Sequence, residues 1–340
     1  MNKLTQTILT LLCALMILAL PLLVPSGALL ESAAERIEES SVEEYEEDAS
    51  LLRLFFPTAF AEEASYALPI SFTPGMAPNL AGFTEDSYTD DSITVRMETR
   101  DEGHVNYCIA FVTIRDASQL RTTVAKTSSS GKPSSKGVAK ISSMAQKNNA
   151  ILAINADYYT NNPDKTTFEY RMGVEIRKKS NRTKDVLIID ENGDFHLYVK
   201  WSEATMSAAL TELKAAGHQV INAFTFGPAL VIDGQVQETD KGYSYNPNGR
   251  EPRMAIGQTG PLSYVVVMAE GRGKDSDGVT HQELADYMGS LGCLQAFNLD
   301  GGNSAEMIFN NKFYGSRTGN ERDQSDILYF ASAVDPASWQ

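Results

Sequence analysis

The fold and the candidate site are centred on Gln295-Ala-Phe-Asn-Leu-Asp-Gly-Gly-Asn-Ser-Ala-Glu-Met-Ile-Phe309. One apolar run delivers Asp300 to the pair Gly301-Gly302, and a second apolar run follows. Adjacent glycines allow a positive φ and let another group approach the backbone closely. The pattern is typical of a polar β-turn and equally of a binding loop on a rigid scaffold. We favour the binding loop, because a carboxylate precedes the glycines and polar side chains follow them.

Two further apolar strands also end in a carboxylate. Ala150–Ile154 is followed closely by Asp157, and Tyr264–Ala269 is followed by Glu270. Together with Asp300, these residues are what a site at one edge of a sheet would produce. The alternative is that each carboxylate caps its own loop or the next helix. We favour the shared site because three strands repeat the arrangement.

The spacing of apolar residues predicts an α+β fold, with a mixed, mainly antiparallel β-sheet core and about three main helices packed on it. Ser92–Glu98 alternates like a half-buried strand, and Asn192-Gly193 predicts a hairpin turn. Helices are predicted up to Asn148, over Glu203–Ala216, and after Thr280, which has the capping-box spacing. The other predicted strands are Val105–Ile114, Ala150–Ile154, Gly173–Ile176, Val186–Ile189, Phe195–Val199, Val220–Ala223, Ala229–Ile232, Met254–Gly257, Tyr264–Ala269 and Leu294–Leu299.

The N-terminal region differs in composition from the rest of the chain. Ile8–Val24 is an apolar run near the N-terminus, which is typical of a signal peptide or a single membrane anchor. We therefore predict a signal peptide or anchor over 1–30, an acidic spacer and extended lead-in over 31–86, and a globular domain over 87–340. This organisation predicts an extracytoplasmic protein that is secreted or attached to a membrane.

Charge and cysteine content exclude several classes of protein. The net charge is −15, and residues 31–48 hold nine acidic side chains and one arginine. No basic face is present, so we predict no nucleic-acid partner. Three cysteines are too few for a disulfide framework. Cys108 and Cys293 either form a pair or lie apart as buried thiols, and we favour the second interpretation.

Neither a metal nor a cofactor is predicted from the sequence. The four histidines, at positions 104, 196, 218 and 281, do not have the spacing of a zinc site. Asp275-Ser-Asp-Gly278 resembles half of a calcium loop, but no glutamate follows at the required distance. A loop before a capped helix is the interpretation that we favour for this segment.

The sequence around the glycine pair resembles a known family. Asn298-Leu-Asp-Gly-Gly-Asn-Ser304 is similar to the asparagine-leucine-aspartate-glycine-glycine-x-serine signature of the phosphodiester glycosidases. Other segments resemble further parts of the family in the same order, namely Asn155–Tyr159, Phe226–Gly234, Arg250–Gly257, Glu270–Arg272 and Asp326–Phe330. The chain departs from the usual family residues at Ala156, Asp157, Glu270 and Glu306.

The resemblance implies a hydrolase that removes a sugar from a sugar-1-phosphodiester in a surface glycan or glycolipid. Bacterial members of the family are often labelled exopolysaccharide biosynthesis proteins. Because the leaving group is a stable phosphate anion, the reaction needs a strong general acid less than ordinary glycoside cleavage does. A carboxylate must still face the anomeric carbon. We predict Asp300 as nucleophile or base and Asp157 as the second catalytic carboxylate.

The same chemistry assigns roles to several other polar residues. Arg253 and Arg272 are predicted phosphate clamps, because guanidinium matches phosphate bidentately. For Arg253 the alternative is an internal salt bridge. A carboxylate at Glu270 or Glu306 would either repel a phosphodiester or serve as a second acid. The remaining predicted substrate-binding residues are Asn155, Tyr158, Gly301, Gly302, Asn303 and Ser304.

Two functions from different classes remain open at this stage. The first is the extracytoplasmic glycosidase, and the acids at the strand ends favour it. The second is a non-catalytic module that binds or assembles exopolysaccharide on the same fold. The unusual residues Ala156 and Glu306 keep this second function open.

Overall fold

The computed structural model describes residues 65–127, 133, 137–157, 168–178 and 184–339. All of these residues belong to one compact unit, Ser65–Gln340. The predicted signal peptide or anchor over 1–30 and most of the predicted spacer lie outside the described residues. Within the described ranges, no helix is both long enough and apolar enough to cross a membrane.

The described residues form three α-helices and twenty strands. The helices are α1 (Ile141–Lys147), α2 (Glu203–Ala215) and α3 (His281–Ser290). The strands are β1 (Ser87–Thr89), β2 (Ile93–Asp101), β3 (Asn106–Ile114), β4 (Leu120–Val124), β5 (Ala139–Lys140), β6 (Ala150–Asn155), β7 (Phe168–Arg171), β8 (Val174–Lys178), β9 (Lys184–Asp190), β10 (Phe195–Trp201), β11 (Val220–Phe224), β12 (Ala229–Ile232), β13 (Gln235–Val236), β14 (Arg253–Gly260), β15 (Ser263–Ala269), β16 (Gln295–Leu299), β17 (Met307–Phe309), β18 (Lys312–Phe313), β19 (Asp323–Gln324) and β20 (Asp326–Ala331).

These strands form three larger sheets and one two-stranded sheet. The largest has the order β1-β2-β3-β15-β14-β16-β12-β13. The two five-stranded sheets have the orders β10-β9-β11-β7-β8 and β18-β17-β6-β20-β4, and β19 pairs with β5. Every ladder between the described strands is antiparallel. The predicted α+β class, with mainly antiparallel sheets and three helices, is confirmed.

The eight-stranded sheet is covered on both faces, which explains the continuous apolar sequence of β15. Because side chains alternate along a strand, Val265 and Val267 pack with Leu284 of α3. Val266 and Met268 point the other way, into the main core shared with β6, β17 and β20. Burial of both faces removes the need for polar residues at alternate positions.

The other two helices each cover one five-stranded sheet. Met144 of α1 packs with Tyr329 on the outer face of the β6–β20 pair. Met206 and Leu213 of α2 pack with Ile188 of β9. Each helix therefore supplies the apolar layer that its sheet needs to exclude water.

The lead-in before β1 packs against the domain. Leu68 is buried, and its backbone amide donates a hydrogen bond to Ser118 Oγ. The buried Arg121 guanidinium donates to the backbone carbonyls of three lead-in residues, Pro69, Ser71 and Thr73. We therefore propose that the folded domain begins at Ser65, upstream of the predicted boundary at Ser87.

Candidate active site

The ends of two strands from different sheets meet at Asn155. Its side-chain amide donates to the backbone carbonyl of Asp300 at 2.6 Å, and the Asp300 amide donates to the Ala156 carbonyl at 3.2 Å. The same asparagine accepts a hydrogen bond from the Glu306 amide at 3.1 Å. Asn155 is completely buried, so it positions the backbone of the glycine turn and is shielded from solvent.

Asp157 is a buried carboxyl that lies two residues beyond this asparagine. It is 2% exposed, and its Oδ2 accepts from the Thr225 amide at 3.0 Å. Burial raises the pKa of Asp157 to about 7, although the Arg171 guanidinium opposes that rise. Its Oδ1 has no hydrogen-bond partner among the described residues. A buried acceptor without a partner is unusual and marks a place where a ligand or proton would be stabilised.

Arg171 explains why Asp157 remains poorly compensated. The guanidinium contacts Asp326 Oδ2 at 2.5 Å but lies 3.7 Å from Asp157 Oδ2. Arg171 therefore pairs mainly with Asp326, and its interaction with Asp157 is weaker. All three side chains belong to one buried cluster. Neither Arg171 nor Asp326 was predicted as a site residue. The two residues are far apart in sequence, so no local pattern shows that they pair. The signal that could have identified them is that each is a charged residue within a buried strand.

The glycine pair is required by the packing of the turn. A β-carbon on Gly301 would lie 2.6 Å from the Pro252 carbonyl oxygen, and Gly302 has a φ of +60°. The Gly302 amide also donates to that carbonyl at 2.7 Å. Asp300 is 8% exposed, and its Oδ1 accepts from the Gly301 amide at 2.9 Å. The predicted close approach and positive φ are both present.

Arg272 lies over this turn and remains accessible. Its Nη1 donates to Asn303 Oδ1 at 2.7 Å, and its Nε contacts Glu251 Oε2 at 2.6 Å. The side chain is 43% exposed. The guanidinium is also close to Gly302, where it would meet any added side chain. A cation is thus held at the rim of the glycine turn, beside Gly302 and Asn303.

Ser304 and Glu306 lie on the buried side of the same turn. Ser304 Oγ accepts from Arg322 Nη1 at 3.1 Å, and Glu306 Oε1 accepts from the Arg322 amide at 3.2 Å. Glu306 Oε2 is buried without a hydrogen-bond partner among the described residues, and burial raises the pKa of Glu306 to about 7. Ser304 is completely buried, so its observed contacts hold the turn in place.

The family model for phosphodiester glycosidases matches residues 148–331, which include both strand ends, the glycine turn and the closing strand. The chain belongs to the phosphodiester glycosidase family. The match supports a hydrolase of the glycosidase type.

Similarity to individual proteins and to solved structures is more distant. The chain is 27% identical over 190 residues to an uncharacterized protein of the SPbeta prophage, YomE, from Bacillus subtilis. That alignment covers 55% of this chain and only 28% of YomE.

The fold resembles the catalytic domain of zebrafish N-acetylglucosamine-1-phosphodiester alpha-N-acetylglucosaminidase, auto-inhibited by its pro-peptide. The TM-score is 0.54 and the identity 12%, over 76% of this chain and 87% of that chain. A hypothetical protein from Synechocystis aligns with a TM-score of 0.48 and 14% identity, over 72% of this chain and 64% of that chain.

Arg253 does not have the free donors that a phosphate clamp needs. Its five N–H groups all have acceptors, namely the carbonyls of Val279, Tyr245, Asn246 and Gly249 and the His281 ring. The guanidinium is buried, and burial lowers the pKa of Arg253 to about 10. Neither the phosphate clamp nor the alternative salt bridge describes these contacts. Arg253 therefore holds the loop at residues 245–249.

The Glu270 carboxylate contacts β3 and the loop at Ser316. Its Oε1 accepts from the Ser316 amide at 2.6 Å and from the Cys108 thiol at 3.6 Å, and its Oε2 accepts from Asn106 at 3.4 Å. Gly315 packs directly against Cys108 and Glu270. The structure therefore joins the backbones of two of the three predicted strand ends, those that carry Asp157 and Asp300, through Asn155 and Ala156. Glu270 instead joins the loop at Ser316 to β3.

An aromatic wall and a cavity lie in the same part of the domain as Asn298. Phe226 and Tyr245 stack with ring centroids 4.8 Å apart, and Asn298 Nδ2 donates to the Gly227 carbonyl at 2.7 Å. Pro228 lines a cavity of about 290 Å³, together with Lys184 and other residues. Sequence analysis missed this wall, because its rings come from separate loops. The predicted stacking residue Tyr158 lies outside the described residues.

Cys108 and Cys293 are both free and buried, which confirms the interpretation as separate thiols. They lie in different core clusters, on opposite faces of the eight-stranded sheet. Burial raises the pKa of each thiol to about 12. Neither cysteine therefore supplies a thiolate nucleophile at neutral pH.

Proposed function

We propose that this protein hydrolyses a sugar-1-phosphodiester in a surface glycan or glycolipid outside the cytoplasm. The observation that carries the proposal is the junction at Asn155, which joins the Asp157 strand end to the Asp300 backbone. Glycosidases generally use two carboxyl groups with different protonation states on either side of the reacting bond. The family membership and the buried, poorly compensated Asp157 carboxyl both support this arrangement.

In the proposed reaction, Asp300 acts on the anomeric carbon as nucleophile or as the base for an attacking water. Asp157, with a pKa near 7, is partly protonated at neutral pH and supplies the proton. The departing phosphate is already an anion, so a partly protonated acid is sufficient. Asn155 holds the two strand ends in register and acts as a positioning residue.

Substrate binding in this proposal uses one cation and one aromatic wall. Arg272 binds the phosphate, because its guanidinium is accessible and next to the glycine turn. Asn303 orients that guanidinium through its own hydrogen bond. The exposed Tyr245 ring, which stacks on the buried Phe226 ring, offers a flat apolar surface for the sugar.

The predicted location is retained as part of the proposal. An N-terminal signal peptide or membrane anchor over 1–30 would deliver the catalytic domain to the outside of a membrane, where phosphodiester-linked glycans occur. The location would be checked by fractionating cells that produce the full chain and treating intact cells with protease. Protection of the domain in intact cells would contradict it.

The reaction class is tested by incubating the full chain with a panel of sugar-1-phosphodiesters and measuring released sugar. We expect Asp300→Asn and Asp157→Asn to lower the rate by about 10²–10⁴-fold, the usual loss when an acid or base is removed. Asp233→Asn is the matched control. Asp233 is also a strand-end aspartate but contacts Gln295, and its φ of +50° suits asparagine.

Two outcomes would contradict the proposal. Unchanged release in Asp300→Asn would remove Asp300 from the chemistry. Binding of the glycans without release of sugar from any substrate would favour the non-catalytic exopolysaccharide module, provided that circular dichroism shows a folded protein.

A further inference from the structure

Two of the four histidines of the chain meet at one carboxylate, far from each other in sequence. His196 Nε2 lies 2.9 Å and His218 Nδ1 lies 3.0 Å from the same oxygen, Asp190 Oδ2. Glu191 Oε1 lies 3.2 Å from His218 Nδ1. Asp190 ends β9, His196 is in β10, and His218 precedes β11. The cluster therefore joins three neighbouring strands at one end of their sheet.

The spacing of these atoms suits a metal ion. Ligands about 2.0–2.2 Å from zinc in tetrahedral or octahedral geometry lie roughly 3.0–3.5 Å apart. The Asp190, Glu191 and His218 ligand atoms all lie within 4.8 Å of one another. Imidazole and carboxylate are ligands that borderline divalent metals accept readily. Small rotations of half-exposed side chains would bring His196 into the same coordination shell.

The backbone holds both carboxylates in the orientation that such a site requires. Asp190 Oδ1 accepts from the amides of Asn192 and Asp194 at 2.9 and 3.0 Å, which leaves Oδ2 directed at the histidines. Glu191 Oε2 accepts from the Gln219 amide at 2.5 Å, which leaves Oε1 directed at His218. Such outer contacts fix the ligand atoms before the metal arrives.

Hydrogen bonds alone satisfy this cluster poorly. His218 Nδ1 faces two carboxylate oxygens but carries at most one proton. Asp190 Oδ2 can accept from both imidazoles, and Glu191 Oε1 also accepts from Asn192 Nδ2 at 3.3 Å, so the unmet contact is the second carboxylate oxygen at His218 Nδ1. A single divalent cation would neutralise both carboxylates and contact the ligand atoms of Asp190, Glu191 and His218 together.

We propose that Asp190, Glu191, His196 and His218 bind a divalent transition-metal ion of the zinc type. The site lies on the β9–β10 hairpin and on the connection between α2 and β11. Neither segment carries a residue of the candidate active site. The ion fastens the hairpin to this connection and stabilises the outer end of the five-stranded sheet.

The test uses the full chain, freed of metal with a chelator and titrated with Zn²⁺ by calorimetry. We expect one tight site, a higher melting temperature with Zn²⁺, and at least tenfold weaker binding in His218→Gln and His196→Gln. His104→Asn is the control, because His104 is exposed and lies outside the cluster. Zn²⁺ binding by this variant should be unchanged. Asparagine also suits its φ of +72°.

Substitution with Co²⁺ provides a second readout that does not depend on stability. A visible d–d band that appears in the unaltered protein and disappears in His218→Gln would support imidazole coordination. Two results would overturn the proposal. One is the lack of Zn²⁺ binding by the folded protein, and the other is equal binding by the His196, His218 and His104 variants.

Discussion

At the scale of single residues, the acid form of Asp157 should control the alkaline limit of activity. Burial raises its pKa to about 7, so the proton required by the proposed mechanism is lost as the pH rises through that value. We expect kcat/KM for sugar release to fall above about pH 7. Glu306→Gln is the control, since Glu306 also has a pKa near 7 but has no catalytic role in the proposal. Disappearance of the alkaline limit in that variant would contradict the assignment to Asp157.

Glu306 makes a separate prediction about stability. Its pKa is raised from 4.5 to about 7 in the folded chain, so the folded state binds a proton that the unfolded state has released between these values. Stability therefore falls as the pH rises through this window. Glu306→Gln keeps the acceptor for the Arg322 amide and removes the charge. We expect little change at pH 5 and stabilisation on the order of 1–3 kcal/mol at pH 8.

Urea unfolding at the two pH values measures this difference. A Glu306→Gln protein that is equally stabilised at pH 5 and pH 8 would show that packing, and not the buried charge, is responsible.

The sequence predicted the carboxylates better than it predicted their partners. Asp157 and Asp300 follow apolar strands, and the ends of these strands are joined through Asn155 and Ala156. The partner of Arg171 is Asp326, more than a hundred residues away, and no local pattern reveals such a pairing. Arg253 was predicted as a phosphate clamp from the chemistry of its guanidinium, but five acceptors from surrounding segments occupy its donors.

At the scale of elements, the α3 cap is a local interaction that the sequence predicted in full. Thr280 accepts from the Glu283 amide, and the Glu283 carboxylate accepts from the Thr280 amide at 2.9 Å. We expect Thr280→Ala to lower the free energy of unfolding by about 1 kcal/mol and Thr280→Ser to lower it much less. Equal losses in chemical denaturation of the two variants would contradict a role for the hydroxyl.

The loop at residues 245–249 should depend on the shape of the Arg253 side chain. Lysine keeps the positive charge but has three donors and no planar fork, so several carbonyls would lose their partner. We expect Arg253→Lys to lower the melting temperature and to speed proteolytic cleavage within the loop. Arg250→Lys is the control, since Arg250 is exposed and pairs with Glu283. Similar cleavage in both variants would indicate that the loop does not depend on Arg253.

Elements were predicted where their apolar pattern is strong. Ala229–Ile232 was predicted with its observed bounds, and β15 was recognised from its apolar run. The polar sequence of Leu120–Val124 concealed β4, although all five residues are buried. The carbonyls that accept from Arg121 belong to the lead-in, so they can be recognised only in the folded structure.

At the scale of the whole molecule, the N-terminal boundary of the domain should affect stability strongly. A chain that starts at Ser65 keeps the carbonyls that accept from Arg121, whereas a chain that starts at Ser87 leaves this buried guanidinium short of three acceptors. Unpaired buried charges are costly. We expect the shorter chain to melt at a clearly lower temperature, and calorimetry of the two chains checks this. Equal melting temperatures would contradict the proposed boundary.

The overall class was predictable, but the order of strands was not. Apolar periodicity identifies which segments form strands and which faces are buried. It carries no information on which strands become neighbours, and β15 pairs with β3, about 150 positions earlier. The histidine cluster was missed for the same reason. Its members have no motif spacing, and the sheet alone brings them together.

Gly315, Cys108 and Glu270 also restrict how this sequence can diverge. A β-carbon at position 315 would lie 2.2 Å from Cys108 Sγ and 2.7 Å from Glu270 Oε1, and the φ of Gly315 is +77°. The residue at each of the three positions therefore limits which substitutions the other two can accept. A side chain at 315 becomes tolerable only after the thiol has been replaced by something smaller and the backbone has relaxed. Among natural relatives these three residues should change together, and a single replacement should rarely persist without its compensating partner.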